Sequence, residues 1–172
     1  IPVSMNKLDV VVTDVVTVNS LIKRFHFARA DGQPLPAFSG GAHVVVEMQD
    51  GDTLRLTPYS LMSSPLDTSD YQISIRRDDQ GRGGSLYMHN YVKTGMPMRL
   101  SYPANLFSLD KRSPKQLMFA GGIGITPFLA QSQQLIATNG NFELHYSARS
   151  TELAAYGTEL KQSIGHRLHM YY

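Results

Sequence analysis

The apolar run Gln116-Leu117-Met118-Phe119-Ala120 passes straight into Gly121-Gly122-Ile123-Gly124 and then into a helical pattern from Ile125 to Ala137. No other feature constrains the fold as strongly. A short apolar run bounded by glycine reads as a buried strand of a parallel sheet. A strand that turns through glycine directly into a helix begins a strand–helix–strand crossover. Pro127 fits, because the first turn of a helix does not use that N–H. The pattern continues with a strand predicted over Phe142-Glu143-Leu144-His145-Tyr146, a helix from Thr151 to Gln162 and a strand from His166 to Tyr171. Strand, helix, strand, helix, strand is half of a doubly wound parallel sheet.

The first hundred residues follow a different period. β-Branched residues dominate Leu8–Thr13 and continue at Val15, Val16 and Val18, while Ile22–Arg29 alternates apolar with polar. Further strands are predicted over Ala42–Met48, Thr53–Ser60, Tyr71–Arg77 and about Met98–Ser101. They are separated by turn residues such as Asp31-Gly32, Pro34/Pro36 and Asp50-Gly51. Short strands at this spacing predict an antiparallel barrel. One helix interrupts them, Ser85–Val92, opened by Gly83-Gly84 and stopped by Gly95. Pro103 to Pro114 reads as the boundary. The expected organisation is a six-stranded antiparallel barrel over residues 5–112, then a partial doubly wound domain over 113–172.

A chain of 172 residues has room for one domain and part of a second. With 42% apolar and 17% charged residues it is globular. Sixteen basic residues against 14 acidic ones, scattered and without a basic run, argue against a nucleic-acid partner. No apolar run approaches the length of a membrane-spanning helix, so no membrane partner is expected. Cysteine is absent, which excludes disulfides and thiolate-held metals within these residues and is compatible with a cytoplasmic protein. Ile1–Met5 lacks the pattern of a signal peptide, and Met5 is the expected native start. His166 and His169, three apart in a predicted strand, fall on opposite faces, and His43 and His145 read as packing residues, so no metal centre is expected. Asp78, Asp79 and Asp110 form no convincing acid/base pair.

Three segments carry chemistry. In Gly121-Gly122-Ile123-Gly124-Ile125-Thr126-Pro127, glycines let backbone N–H groups approach a pyrophosphate at a helix start. The spacing is not the dinucleotide fingerprint, and glycine count alone is equally served by a tight turn that needs small residues for packing. In Gly81-Arg82-Gly83-Gly84-Ser85, Arg82 and the N–H groups of Gly83, Gly84 and Ser85 offer donors to a phosphate of about two negative charges. Read alone, that segment is also an ordinary capping loop. Tyr59 and Ser60, ending a strand, offer a flat aromatic body and hydroxyls.

Taken together in this order, Tyr59-Ser60-Leu61, Gly81-Arg82-Gly83-Gly84-Ser85 and Gly121–Pro127, with Asn105-Leu106-Phe107 between them, resemble the ferredoxin-reductase superfamily. The segment Arg77-Asp78-Asp79-Gln80 leading into Gly81–Ser85 resembles most the phthalate dioxygenase reductase group, which includes vanillate demethylase and carnitine monooxygenase reductases. The resemblance runs from about Asp9 to Tyr172. It implies a flavin-binding barrel and an NAD(P)-binding domain, with hydride passing from NAD(P)H to flavin. FMN is implied rather than FAD, because the Gly-Arg-Gly-Gly-Ser segment is similar to that of the FMN members. Pro58, Tyr59 and Ser60 would meet the flavin, with Ser60 near the hydride-accepting nitrogen, and Ser74, Ile75 and Arg76 would lie along the pyrimidine side of its ring. Arg82, Gly83, Gly84 and Ser85 would hold the phosphate. That group places an arginine two positions before the tyrosine; Thr57 stands there here, and Arg55, on the same strand face, is the candidate replacement. Gly121, Gly122, Gly124 and Ile125 would meet the nucleotide, Thr126 and Pro127 the nicotinamide, and Arg149 the adenosine ribose or a 2′-phosphate. Ser60 and Thr126 are the candidate catalytic residues. NADH and NADPH stay open, no acidic residue standing beside Ser147 and Arg149.

The same resemblance implies a two-iron two-sulfur ferredoxin module and a terminal oxygenase partner, a Rieske iron protein or a haem demethylase. The four cysteines such a module needs and the group's Cys-Gly-Pro segment are missing, so the chain reads as part of something longer. Two alternatives stand beside this: a free-standing NAD(P)H-flavin reductase, and a flavin-binding module without turnover.

Overall fold

A computed structural model describes residues 7–172; the expected start at Met5 lies outside them. Six strands, β1 (Lys7–Thr17), β2 (Ile22–Arg29), β3 (His43–Asp50), β4 (Thr53–Ser60), β5 (Tyr71–Arg76) and β6 (Pro97–Ser101), form one sheet in the order β4-β3-β6-β1-β2-β5. Every neighbouring pair is antiparallel. The sheet curls until its edge strands β4 and β5 approach each other, giving the barrel expected from the strand spacing. Alternation explains its core: Phe25 and Phe27 of β2, Val44 and Val46 of β3 and Leu8, Val10 and Val12 of β1 all point inward and are buried. The β3–β4 hairpin turns at Asp50-Gly51, with Gly51 at φ 59°. Helix α1 (Gly84–Tyr91) buries Tyr87 and Met88 against this core.

The rest of the described chain forms a parallel three-stranded sheet, order β7-β8-β9, from β7 (Gln116–Gly121), β8 (Phe142–Ser147) and β9 (Leu168–Tyr171). A single 3-10 turn over Gly122–Ile125 joins β7 to α2 (Thr126–Ala137). Met118, Ala120, Leu144 and Tyr146 pack with Phe128 and Leu135 of α2 and with Leu160 and Ile164 of α3 (Gly157–Ile164). Ile22 and Met62 of the barrel part join the same cluster, so the two sheets share a packed seam.

Three expectations need correction. Strand β7 is buried on one face only: Leu117 and Phe119 are 57% and 67% exposed, because the packed helices cover the alternate residues. The second helix begins at Gly157 and not at Thr151, because Tyr156 takes a left-handed conformation, φ 63°, which a continuing helix cannot contain. The last strand begins at Leu168, since Gly165–Arg167 form a 3-10 turn that removes His166 from it. No helix among the described residues is long and apolar enough to cross a membrane.

Candidate functional site

Alternate residues of β4 build the first part of the site. Arg55, Thr57 and Tyr59 share one strand face and meet the start of α1. A Cβ on Gly83 would lie 2.8 Å from the Arg55 guanidinium carbon, and one on Gly84 would lie 2.9 Å from Thr57 Oγ1 and 3.7 Å from the Tyr59 hydroxyl. Gly83 also sits at φ 106°, a left-handed value that favours glycine. The Arg55 guanidinium donates through Nε to Asp50 Oδ2 at 2.9 Å and through Nη1 to the Arg82 carbonyl. Arg55 thus lies against the turn that opens α1. Arg82 itself is exposed on the turn.

Helix α1 starts without an acidic residue in its first turn and without a side-chain cap. The Ser85 hydroxyl is used elsewhere, accepting the Asp78 N–H at 2.9 Å and so folding back the 78–85 loop. The first N–H groups of the helix therefore keep their donors for an anion. Burial pushes the Tyr59 phenol up to about 12, so at neutral pH it is a proton donor. Guanidinium, threonine hydroxyl, phenol and helix N-terminus converge here, groups that can donate to an anion.

Next to this cradle, a cleft of about 330 Å³ is lined by Pro58, Tyr59 and Ser60 of β4, Ser74, Ile75 and Arg76 of β5, Ser85 of α1, and Ile123, Gly124, Thr126 and Pro127 of the glycine turn and α2. Four separate segments of sequence therefore wall one cavity. Ile123, inside the glycine motif but not among the expected site residues, lines it too. The Ser74 hydroxyl faces away from this role, being buried against Tyr156 Oη at 2.5 Å and Met62 Sδ at 2.9 Å. Ile125 is fully buried in the second core and lines neither this cleft nor the next, so only its backbone is available to a ligand. Thr126 Oγ1 donates to the Ile123 carbonyl at 3.3 Å and does not cap α2, which has no side-chain cap. A contiguous apolar hollow of about 500 Å³ shares Pro58, Tyr59, Ser60 and Pro127 and adds His43, Leu106 and Phe107.

A larger cleft, about 600 Å³, lies at the carboxyl ends of β7 and β8, where open α/β sheets bind ligands. Gly121, Gly122, Ile123, Ser147, Ala148 and Arg149 line it from the sheet, and Asn19, Leu21, Ile22 and Arg76 from the barrel. The barrel contribution was invisible in the sequence, because it depends on the seam between the sheets. A Cβ placed on Gly121, Gly122 or Gly124 would meet nothing within 4 Å. These glycines are not small for the sake of packing inside the chain, and the space they leave suits the approach of a ligand to the backbone.

Outside these clefts, parallel pairing sets His145 opposite His169. Their rings stack at 4.6 Å and 11°, and Glu143 lies within 3.6 and 3.8 Å of their Nε2 atoms. His145 is thus more than a lone packing residue. Glu143, His145 and His169 offer ligand atoms within 4.8 Å of one another, a grouping not expected from the sequence, and Lys115 approaches Glu143 at 3.5 Å.

An antiparallel barrel whose cleft opens toward the glycine turn of a parallel sheet defines a ferredoxin-reductase-like fold. Comparison with known proteins agrees. The chain is 46% identical over 154 residues to the carnitine monooxygenase reductase subunit of Escherichia coli strain K12, covering 90% of this chain and 48% of that protein. It is 45% identical over 164 residues to the heme-dependent oxidative N-demethylase beta subunit of Ectopseudomonas mendocina, covering 95% and 52%. The solved phthalate dioxygenase reductase, a modular structure for electron transfer from pyridine nucleotides to [2Fe-2S], superposes with a TM-score of 0.91 at 31% identity, covering 98% of this chain and 52% of that one. No family model matches the chain. The resemblance to the phthalate dioxygenase reductase group, read from three motifs, therefore holds along the chain, which spans about half the length of the curated relatives it matches.

Proposed function

We propose that this chain is the flavin-binding part, through residue 112, and the beginning of the nucleotide-binding part, from residue 113, of an NAD(P)H-dependent FMN reductase serving an oxygenase. The observation that carries this reading is the 330 Å³ cleft, where the strand end at Tyr59-Ser60, the wall at Ser74–Arg76 and the turn at Ile123–Pro127 face one another. Bound FMN would supply a hydride acceptor that can pass electrons on singly. The chain's own residues bind and orient. Arg55, Arg82, Thr57 and the N–H groups at Gly83, Gly84 and Ser85 hold the phosphate. Tyr59 and Pro58 lie against the ring, Ser60 hydrogen-bonds its reactive edge, and Ile75, Arg76 and the Ser74 backbone border its pyrimidine side. Gly121, Gly122, Gly124 and the Ile125 backbone receive the nucleotide, Thr126 and Pro127 set the nicotinamide, and Arg149 meets the adenosine end. Ser60 and Thr126 are the residues nearest the transfer.

In the whole protein the electrons would leave through a two-iron two-sulfur module to a terminal oxygenase, a Rieske iron protein or a haem demethylase. The names of the relatives support an oxygenase partner. A cytoplasmic location belongs to the same proposal, since reduced pyridine nucleotide is available there.

Fluorescence titration tests the flavin assignment. The chain should bind one equivalent of FMN. Arg82→Ala should weaken FMN by about 1.5–3 kcal/mol, the range for a charge-assisted hydrogen bond, and leave riboflavin nearly unchanged. Arg55→Ala in the same titration ranks the two arginines. Equal weakening of FMN and riboflavin by both variants would refute the phosphate cradle.

A further inference from the structure

Two sets of polar contacts join the parallel sheet's part to the barrel. One is made by α2: Gln134 Oε1 accepts the Gly40 N–H at 2.7 Å, and Gln131 Nε2 donates to the Phe107 carbonyl at 2.7 Å. The other lies at the β5 wall of the 330 Å³ cleft, where Tyr156 meets Ser74.

Tyr156 is an improbable residue for its backbone. Bulky side chains avoid positive φ, yet it sits at 63° and is only 6% exposed. Contacts on every side hold it. Its hydroxyl and the Ser74 hydroxyl are 2.5 Å apart, both buried. The Arg24 guanidinium lies 5.8 Å from the centre of its ring, and Arg24 is itself fixed by His26 at 2.9 Å. The preceding carbonyl, that of Ala155, accepts the Tyr146 hydroxyl of β8 at 3.1 Å, and the Tyr156 carbonyl accepts the Leu160 N–H of α3 at 2.9 Å. A rigid path thus runs from β8 through residues 155 and 156 to Ser74. The neighbours of Ser74, Ile75 and Arg76, face Ile123, Gly124, Thr126 and Pro127 across the cleft.

Apolar contacts such as those of Ile22 and Met62 hold two surfaces together without fixing their register. A short hydrogen bond between two buried hydroxyls fixes one distance. We propose that Tyr156 is a positioning residue, whose hydrogen bond to Ser74 sets the gap between the glycine turn and the β5 wall and hence the approach of nicotinamide to flavin. This rests on the reductase reading given above. Hydride transfer needs the reacting atoms about 3–3.5 Å apart, so a small change of gap is costly to rate while leaving flavin affinity alone.

Tyr156→Phe, Ser74→Ala and the double variant test this. Melting of the flavin-free chain should show coupling, the double variant being no less stable than the weaker single one. With Tyr156→Phe the FMN dissociation constant should stay within about twofold, while stopped-flow reduction at saturating NADH or NADPH slows about tenfold at unchanged half-saturation. Additive melting losses would remove the bond. Coupled melting with an unaltered reduction rate would make the pair a stability element and overturn the positioning role, as would a selective loss of FMN affinity. A wild-type chain that binds neither FMN nor riboflavin would sink the reductase reading and this role with it.

Discussion

In the turn before α1, a methyl group on Gly83 would lie 2.8 Å from the Arg55 guanidinium and one on Gly84 would lie 2.9 Å from Thr57 Oγ1; in the turn before α2, one on Gly121, Gly122 or Gly124 would meet nothing within 4 Å. Both turns are glycine-rich, both start a helix, and neither helix has a side-chain cap or an acidic first turn. The first turn is closed by the chain itself, its glycines small because β4 side chains press on them. The second is closed by nothing in the chain. Gly121, at φ −131°, has an extended backbone any residue could adopt, so neither packing nor conformation demands glycine there. Glycines that touch the protein form a cradle in advance; glycines that touch nothing leave room for what arrives.

Substitution should separate the two turns most strongly. Gly83→Ala meets both the guanidinium and a φ of 106°, and should cost about 2–3 kcal/mol of stability, with FMN affinity falling alongside. Gly124→Ala should change unfolding by less than about 0.5 kcal/mol, the range of a substitution that touches nothing. Under the functional reading, reduction by NAD(P)H should nevertheless be impaired. Urea unfolding of the two variants beside flavin reduction is the measurement. Equal losses of stability would erase the distinction.

Two threonines sharpen it, one at each turn. Thr126 lines the cleft and donates only a 3.3 Å hydrogen bond to the Ile123 carbonyl. Thr126→Val keeps the shape, and reduction at saturating nucleotide should slow ten- to hundredfold, a loss of about 1.4–2.7 kcal/mol, with FMN binding unchanged. An unaltered rate with a lowered melting temperature would reduce Thr126 to a stability role. Thr57 faces Gly84. Thr57→Val should weaken FMN by about 1 kcal/mol, one ordinary hydrogen bond, and leave the reduction rate of the saturated protein alone. Exchanged phenotypes would mean that the two turns have been assigned the wrong way round.

The elements that sequence reveals best are those whose pattern is local. Strands β2 and β4 match the residue ranges predicted for them, because Phe25 and Phe27 flank polar His26 in β2 and Asp50-Gly51 marks where β4 begins. Of the residues lining the 330 Å³ cleft, only Ile123 was not among the candidate site residues, although it stands inside the glycine motif. What escaped was set by tertiary contact. Thr151-Glu152-Leu153-Ala154-Ala155 has the composition of a helix start, yet Tyr156 is turned left-handed by partners that include Ser74, distant in sequence. Asn19 enters the 600 Å³ cleft only because the barrel meets the second sheet, and His145 meets His169 only through parallel register. Chemistry carried by a motif is written in consecutive residues; the gap across which it acts is not.

The smallest expected effect belongs to the closed side. His89 of α1 contacts the Ile75 carbonyl through Nε2 at 2.7 Å, and its own carbonyl accepts Lys23 Nζ at 3.0 Å, so it ties the cradle helix to the cleft wall. Burial holds its imidazole below the usual histidine range, with Lys23 and Arg77 pushing the same way against Asp79 and the Ile75 carbonyl. The folded state therefore resists protonation that the unfolded chain accepts near pH 6.5. Between that pH and the lower folded value, the unfolded state binds more protons, and stability rises with pH. The contribution of His89 is complete above about pH 6.5 and drains away as pH falls from there toward the lower folded value. His89→Gln keeps a donor for Ile75 and removes the titration. Its melting temperature should fall less than that of the wild type between about pH 7.5 and 5.5, the two converging in slope at higher pH. Parallel curves across the window would show that the imidazole takes up its proton without disturbing α1, and that the cradle helix is held by packing alone.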